Sequence, residues 1–312
     1  MCQSLGGRVH RHCRHGVRRR RHVRSSERQE LPVWRQLPRA AAGLPEAGWG
    51  GVSEALALRG GVAQALGAYL LAIADDELIT GHRHSEWTGL GPDIESDVAL
   101  SSIAQEEMGH ARLFYQEVLR LTGRGEEELD RLVFDRPAAQ FRHAVLLERP
   151  NGDWGFTIVR LVLYELADAL RLTALTRLGV ESLPALARAL QREEKYHQMY
   201  ADAWLTRLAR ATPDSHTRIQ DALDVAWGEA RGLFEPVPEE PLLLEAGVLA
   251  EAAAAQERAW QERIAELCGR LDLRVPPGTA AVGGRRGEHS PDLAVLLAEM
   301  TEVRRGDPGA VW

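Results

Sequence analysis

Two Glu-x-x-His boxes, Glu107-Met-Gly-His110 and Glu194-Lys-Tyr-His197, constrain this chain more than any other feature. In an α-helix, residues three apart share a face about one turn along the axis, so each box aims a carboxylate and an imidazole at a common point. An acid precedes each box at nearly the same distance: Glu77 lies 30 positions before Glu107, and Glu165 lies 29 before Glu194. Two such halves are what a four-helix bundle needs to hold two metal ions between its helices. Carboxylates with two imidazoles and no thiolate suit iron or manganese better than structural zinc. The pattern predicts a di-metal carboxylate site with two iron ions, manganese being the alternative occupant.

The segments around the boxes read as helices. From Ala55 to about Thr80 apolar residues recur at helical spacing through Leu66, Leu70 and Ile73, and Glu77 continues their stripe. A carboxylate in a core-facing position is costly without a partner, which makes Glu77 the leading acid of its helix. Asp75 and Asp76 fall off the stripe and read as solvated acids, Asp76 being a candidate outer partner of the site. Gly81 and the polar run His82-Arg-His-Ser85 are expected to end this helix, leaving His82 and His84 in a loop.

A second helix, from a cap at Asp93 to about Leu121, carries the first box, and a short acidic helix is expected from Glu126 to Val133. A third helix, Trp154 to about Leu178, carries Glu165, with Asp168 one turn further on the same face as its rival. A fourth, from Pro184 to about Ala209, carries the second box. Further helices are expected over Pro213–Leu233, Ala246–Leu271 and Asp292–Arg304, and no strand pattern competes. The fold class is all-α, a four-helix bundle with additional C-terminal helices. Glu106 and Glu193, each just before a box glutamate, read as outer partners or surface residues. His143 reads as a structural histidine, and Trp204, Trp227 and Trp260 as core or interface.

Composition narrows the class. Hydrophobic residues make up 45% of the 312, ample for a core, and no apolar run approaches the roughly 20 residues that span a membrane. Cys2, Cys13 and Cys268 form neither a zinc spacing nor a disulfide framework, which fits the cytoplasm. The net charge of −7 is unevenly spread. Residues 1–51 hold 11 Arg and 3 Glu, or +8; of 38 basic and 45 acidic residues, 27 and 42 remain in 52–312, or −15. An acidic body disfavours nucleic acid as a partner. The basic head, with Arg18-Arg-Arg-Arg21 at its centre, lacks the apolar stretch of a secretory signal. It reads as a disordered or mis-started extension (1–51) preceding a helical domain (52–312), with the true start expected near Val52.

Several segments together resemble a known family. These are Asn151-Gly-Asp153 with Thr157-Ile-Val-Arg160, the Glu194-Lys-Tyr-His197 segment, Trp204-Leu205, and Gly283-Gly-Arg-Arg-Gly-Glu-His289 through Leu297-Ala-Glu-Met300 to Trp312. They resemble the C subunits of phenylacetyl-CoA monooxygenases (ring 1,2-epoxidases), over about residues 62–312. The resemblance implies a ferritin-like fold in a cytoplasmic, multicomponent di-iron oxygenase of aerobic phenylacetate catabolism. Its implied partners are a catalytic A subunit and a reductase subunit that passes electrons from NADPH, and its implied substrate is phenylacetyl-CoA.

Many C subunits have lost the ligand residues at the positions of Glu107, His110 and Glu194, whereas this chain keeps them. Its first box even resembles the ligand box of the A subunit. Two roles are therefore expected. One is an oxygenase subunit with a retained site made of Glu77, Glu107, His110, Glu165, Glu194 and His197. The other is a non-catalytic helical scaffold that stabilises the A subunit. A stand-alone ferroxidase is a third reading, disfavoured by the helices after Leu233. Arg285 and Arg286, in a Gly- and Arg-rich loop, are candidate contacts for the CoA phosphates, the plainer reading being a flexible basic loop.

Overall fold

Leu66, Leu70 and Ile73 are all buried, and their stripe drives the first long helix, α1 (Val62–Ser85). The computed structural model describes residues 61–180 and 182–307. The expected helix start over 55–60, the basic head and the 51/52 boundary lie outside the described residues. Helix α2 (Ile94–Leu121) begins where the Asp93 side chain accepts a hydrogen bond from Ser96 N at 2.8 Å. Gly67 lies against Thr122, and Gly81 against Ala104 and Glu107, so α1 and α2 run antiparallel. At Gly81 a Cβ would stand 3.0 Å from Ala104 O and 3.0 Å from Glu107 Cβ, so glycine sets the close approach of the two helices.

A connection holding a 3₁₀ turn (Glu126–Glu128), α3 (Leu129–Phe134) and α4 (Val145–Glu148) leads to the second hairpin. Gly152 (φ 59°) makes the turn, and Asp153 caps α5 (Trp154–Leu175) by accepting from Phe156 N at 2.9 Å. Helix α6 (Ser182–Ala211) returns antiparallel: Gln191 bonds Thr173, while His197 approaches Glu165. The two hairpins meet along α2 and α6, where Arg120 donates to Ser182 and Glu106 reaches His197.

Outside the four long helices lie α7 (Pro213–Ala230), α8 (Glu240–Glu245), α9 (Ala253–Arg270), α10 (Pro291–Met300) and α11 (Glu302–Gly306). Helix α7 opens with a capping box between Thr212 and Ser215. The buried Trp260 of α9 donates to Leu163 O at 3.0 Å and stacks on Trp227 of α7 at 5.1 Å, fastening both helices to the second hairpin. Among the described residues there is no strand, and the fold is all-α and ferritin-like.

Tertiary contacts override three sequence expectations. Helix α1 runs on through Ser85, because Arg83 and His84 are buried and Arg83 bonds Glu148 O and Glu86. Helix α8 begins within the Pro-rich stretch Pro236–Pro241, and the helix expected from Ala246 starts only at Ala253, Gly247 (φ 68°) lying between the two. Asp75 and Asp76, expected in solvent, are fully buried, because the α3–α4 connection and the C-terminal loop wrap the outer side of α1. Asp75 accepts from Tyr115 OH at 2.5 Å, Arg142 N at 2.7 Å and Arg136. Asp76 accepts from Ala144 N at 2.9 Å, from Arg285 at 2.9 and 2.7 Å, and from Arg171.

This network corrects the phosphate expectation for Arg285. Its guanidinium is buried and spent on Asp76 and on the carbonyls of Ala72, Arg142 and Leu233, leaving no face for a ligand. Arg286 is half-exposed and pairs with Glu235. Arg285→Ala takes two charge-assisted hydrogen bonds from the buried Asp76 but leaves it Arg171 and the Ala144 amide, so it should cost about 1–3 kcal/mol in urea unfolding. A loss below about 1 kcal/mol would show that Asp76 finds other compensation.

Candidate metal centre

The stripes and spacings converge on one point inside the bundle. Glu77 (α1), Glu107 and His110 (α2) and Glu194 (α6) form one fully buried group, whose potential ligand atoms all lie within 4.8 Å of one another. Glu107, Glu165 (α5), Glu194 and His197 form a second, equally compact group, so Glu107 and Glu194 belong to both. His110 Nδ1 stands 3.1 Å from Glu194, 3.9 Å from Glu77 and 3.9 Å from Glu107. His197 Nδ1 stands 3.4 Å from Glu194, 3.5 Å from Glu107 and 3.7 Å from Glu165. The two imidazoles lie 6.2 Å apart, nearly parallel.

Behind each ring stands a carboxylate from the opposite box helix. Glu193 Oε2 lies 2.8 Å from His110 Nε2, and Glu106 Oε2 lies 2.7 Å from His197 Nε2. A carboxylate only accepts, so each Nε2 carries a proton and Nδ1 faces the glutamates. Position within the helix explains the cross-over. The residue before a box glutamate sits about 100° round the axis and projects toward the neighbouring helix. Sequence left these two residues between an outer and a surface role; their position just before each box was the available signal.

The donor set fits a pair of cations. Both oxygens of Glu77, Glu107, Glu165 and Glu194, and Nδ1 of His110 and of His197, are buried with no hydrogen-bond partner. Buried polar atoms are almost always paired, and ten orphans around one point are what a coordinating ion would satisfy. Burial, then the neighbouring carboxylates, push Glu77 and Glu165 well above the usual carboxyl range. Burial alone would lower His110, but the hydrogen bond to Glu193 and the close charges of Glu194 and Glu107 raise it to about 10. Burial disfavours the Glu194 carboxylate too, yet His197 and His110 hold it well below the usual range.

Of the two acids on α5, Glu165 stands in the cluster. Asp168 is outside both groups and accepts from Arg171 at 3.0 Å; burial raises it to about 7 against the pull of Arg171. Arg171 also binds Asp76, so the buried pairs on the outer side of α1 reach the edge of the centre. Sequence reasoning missed His84, placed in a loop but in fact buried two turns beyond Glu77, with neither nitrogen bonded. Burial, then Arg160 and His197, hold it well below the usual imidazole range.

The chain is also similar to known proteins. Residues 54–312 match the phenylacetic acid catabolic protein family. The chain belongs to that family. Among curated relatives, it is 32% identical over 248 residues to the C subunit of the 1,2-phenylacetyl-CoA epoxidase of Escherichia coli (strain K12), covering 79% of this chain and 99% of that protein. In this member of the phenylacetic acid catabolic family, the buried acids and histidines of the two boxes meet as their spacing predicts.

A titration experiment checks the electrostatics. A carboxyl whose pKa is raised on folding favours the folded state at low pH and loses that stability as pH rises through the folded value. In chelator-treated protein at pH 8, Glu77→Gln and Glu165→Gln should therefore each raise the melting temperature by a few degrees, and the gain should vanish near pH 4. A lowered melting temperature at pH 8 would mean that these carboxylates are compensated within the protein.

Proposed function

We propose that this chain is one component of a multi-subunit di-iron phenylacetyl-CoA monooxygenase, a ring 1,2-epoxidase, and that it carries its own metal centre. Glu77, Glu107 and His110 would hold one iron and Glu165, Glu194 and His197 the other, with Glu107 and Glu194 common to the two groups. The observation that carries this reading is the pair of buried groups sharing Glu107 and Glu194. The substrate class and the multi-subunit assembly rest on the name of the Escherichia coli relative, one of the subunits of a phenylacetyl-CoA epoxidase. The partners in this reading are the catalytic A subunit and a reductase that passes electrons from NADPH, in the cytoplasm. Manganese fits the same donors and is the competing metal.

When bound, a pair of ferrous ions supplies the redox chemistry that activates dioxygen. The protein's own contribution is geometric and electrostatic. Glu106 and Glu193 fix the rings so that Nδ1 points inward. Arg171 holds Asp168 on its own guanidinium rather than among the glutamates. Gly81 brings α1 close enough for Glu77 to meet Glu107 and His110. Burial of every member keeps bulk water from the donor atoms. No helix among the described residues is long and apolar enough to cross a membrane.

The competing reading is the non-catalytic scaffold, which has no use for four unpaired buried glutamates. The test is the assembled complex of this chain with the A subunit and the reductase. Glu107→Ala/His110→Ala should remove the metal held by this chain and lower phenylacetyl-CoA-dependent NADPH oxidation by about 100-fold or more. Full turnover with no metal on this chain would establish the scaffold role instead.

A further inference from the structure

A cleft of about 270 Å³ lies between α1, α2, α3 and α10. No metal-centre residue and no part of α5 or α6 lines it. Its walls are apolar: Leu78 from α1, Met108 and Ala111 from α2, Val133 and Phe134 from α3, and Met300 from α10. Two contacts fix these walls. Gly81 makes room for Met108, whose Cγ would stand 3.0 Å from a Cβ at that position. Arg304 donates twice to Asp135, at 2.8 Å each, and fastens the α10–α11 segment to the end of α3.

Size and lining select a ligand class. An apolar cavity of about 150 Å³ already takes a benzene ring, whereas drug-sized ligands occupy roughly 300–1,000 Å³. The cleft therefore suits one ring with a short side chain. Two methionine thioethers and Phe134 match the faces and edges of an aromatic ring. One guanidinium, that of Arg112, lies in the lining. Its ion pair with Glu126 is long, at 3.5 Å, and both side chains are about a third or more exposed. Glu126 keeps Gln116 as a second partner at 2.8 Å, so Arg112 can turn its planar fork to another carboxylate without stranding that acid. The other polar groups of the lining are turned to each other: Glu299 gathers with Glu86 on His82, their potential ligand atoms lying within 4.8 Å of one another.

We infer that this cleft binds a small aromatic acid, an aryl ring on a short carboxylate chain, with the ring among Met108, Phe134 and Met300 and the carboxylate on Arg112. The site is separate from the metal centre and does not depend on the di-metal reading. It is nevertheless close to the centre along the chain. Leu78, Met108 and Ala111 directly follow Glu77, Glu107 and His110, so an occupied cleft bears on the turns that carry those three residues.

The test is binding of phenylacetate to the full chain after chelation, by isothermal titration and ligand-observed NMR. Toluene supplies the ring without charge, and 2-phenylethylamine the ring with the opposite charge. Phenylacetate should bind saturably at millimolar concentration or below, and the amine at least about tenfold more weakly. Arg112→Gln should weaken phenylacetate at least about tenfold and leave toluene unchanged, which shows that the cleft itself is intact. Ala111→Phe fills the cleft from α2 and should abolish both.

Phenylacetate that binds no better than the amine, or equally well to Arg112→Gln, would overturn the site, and that result stands even if Ala111→Phe fails to fold. Glu107→Ala/His110→Ala should keep the affinity of the unaltered chain. Its loss there, with Arg112→Gln unaffected, would put the acid in the metal centre and overturn the cleft. Phenylacetyl-CoA that competes more tightly than phenylacetate, and equally so in Arg112→Gln, would make the cleft a seat for the thioester's ring and overturn the role of Arg112 as carboxylate partner.

Discussion

Four glutamate side chains share one buried space, and nothing in the protein hydrogen-bonds any of their eight oxygens. Burying even one carboxylate without a partner is expensive, and like charges at these separations raise the cost. A fold that assembles such a group must recover that energy from something cationic. The two imidazoles recover part of it when protonated, and a pair of metal ions would recover it more fully. The close helix approach at Gly81, the rings fixed from behind and the antiparallel hairpins all serve to bring these side chains together.

Helix α1 shows two ways of treating a buried acid side by side. Asp75, Asp76 and Glu77 are consecutive and all fully buried. Asp75 is satisfied by Arg136, Tyr115 and a backbone amide, and Asp76 by Arg285, Arg171 and another amide. These two hold the connection and the C-terminal loop against the outside of the bundle. Glu77 points the other way, into the bundle, and receives no arginine. Acids satisfied by guanidinium groups are structural; the acid left unsatisfied marks the centre. Arg171 joins the two systems, since it binds both Asp76 and Asp168 at the edge of the cluster.

The centre was legible in the sequence because helical geometry is short-ranged and periodic. A box at i and i+3, with an acid some 30 positions earlier, has few ways to be arranged in a bundle. Glu77 stood out as a polar residue on an apolar stripe. The caps at Asp93 and Asp153 and the long helices behind them were equally readable. What escaped depends on long-range wrapping. Asp75 and Asp76 looked solvated because a four-helix projection leaves the outer face of α1 open, and only the fold shows Arg285, more than two hundred positions later, covering it. The same contact removed Arg285 from the phosphate role. The last turn of α1 looked like a loop because His82-Arg-His-Ser85 is polar, yet burial of Arg83 and His84 keeps it helical. Glu106 and Glu193 could be located by sequence but not paired, since pairing depends on how α2 and α6 face each other.

Metal stoichiometry tests the central claim most directly. The chain, purified anaerobically with ferrous iron supplied and then desalted, should hold about two iron ions by elemental analysis, as a two-ion bundle site requires. A well-folded chain that retains no iron or manganese above background would contradict it, and would leave the four buried glutamates to be explained by protons alone.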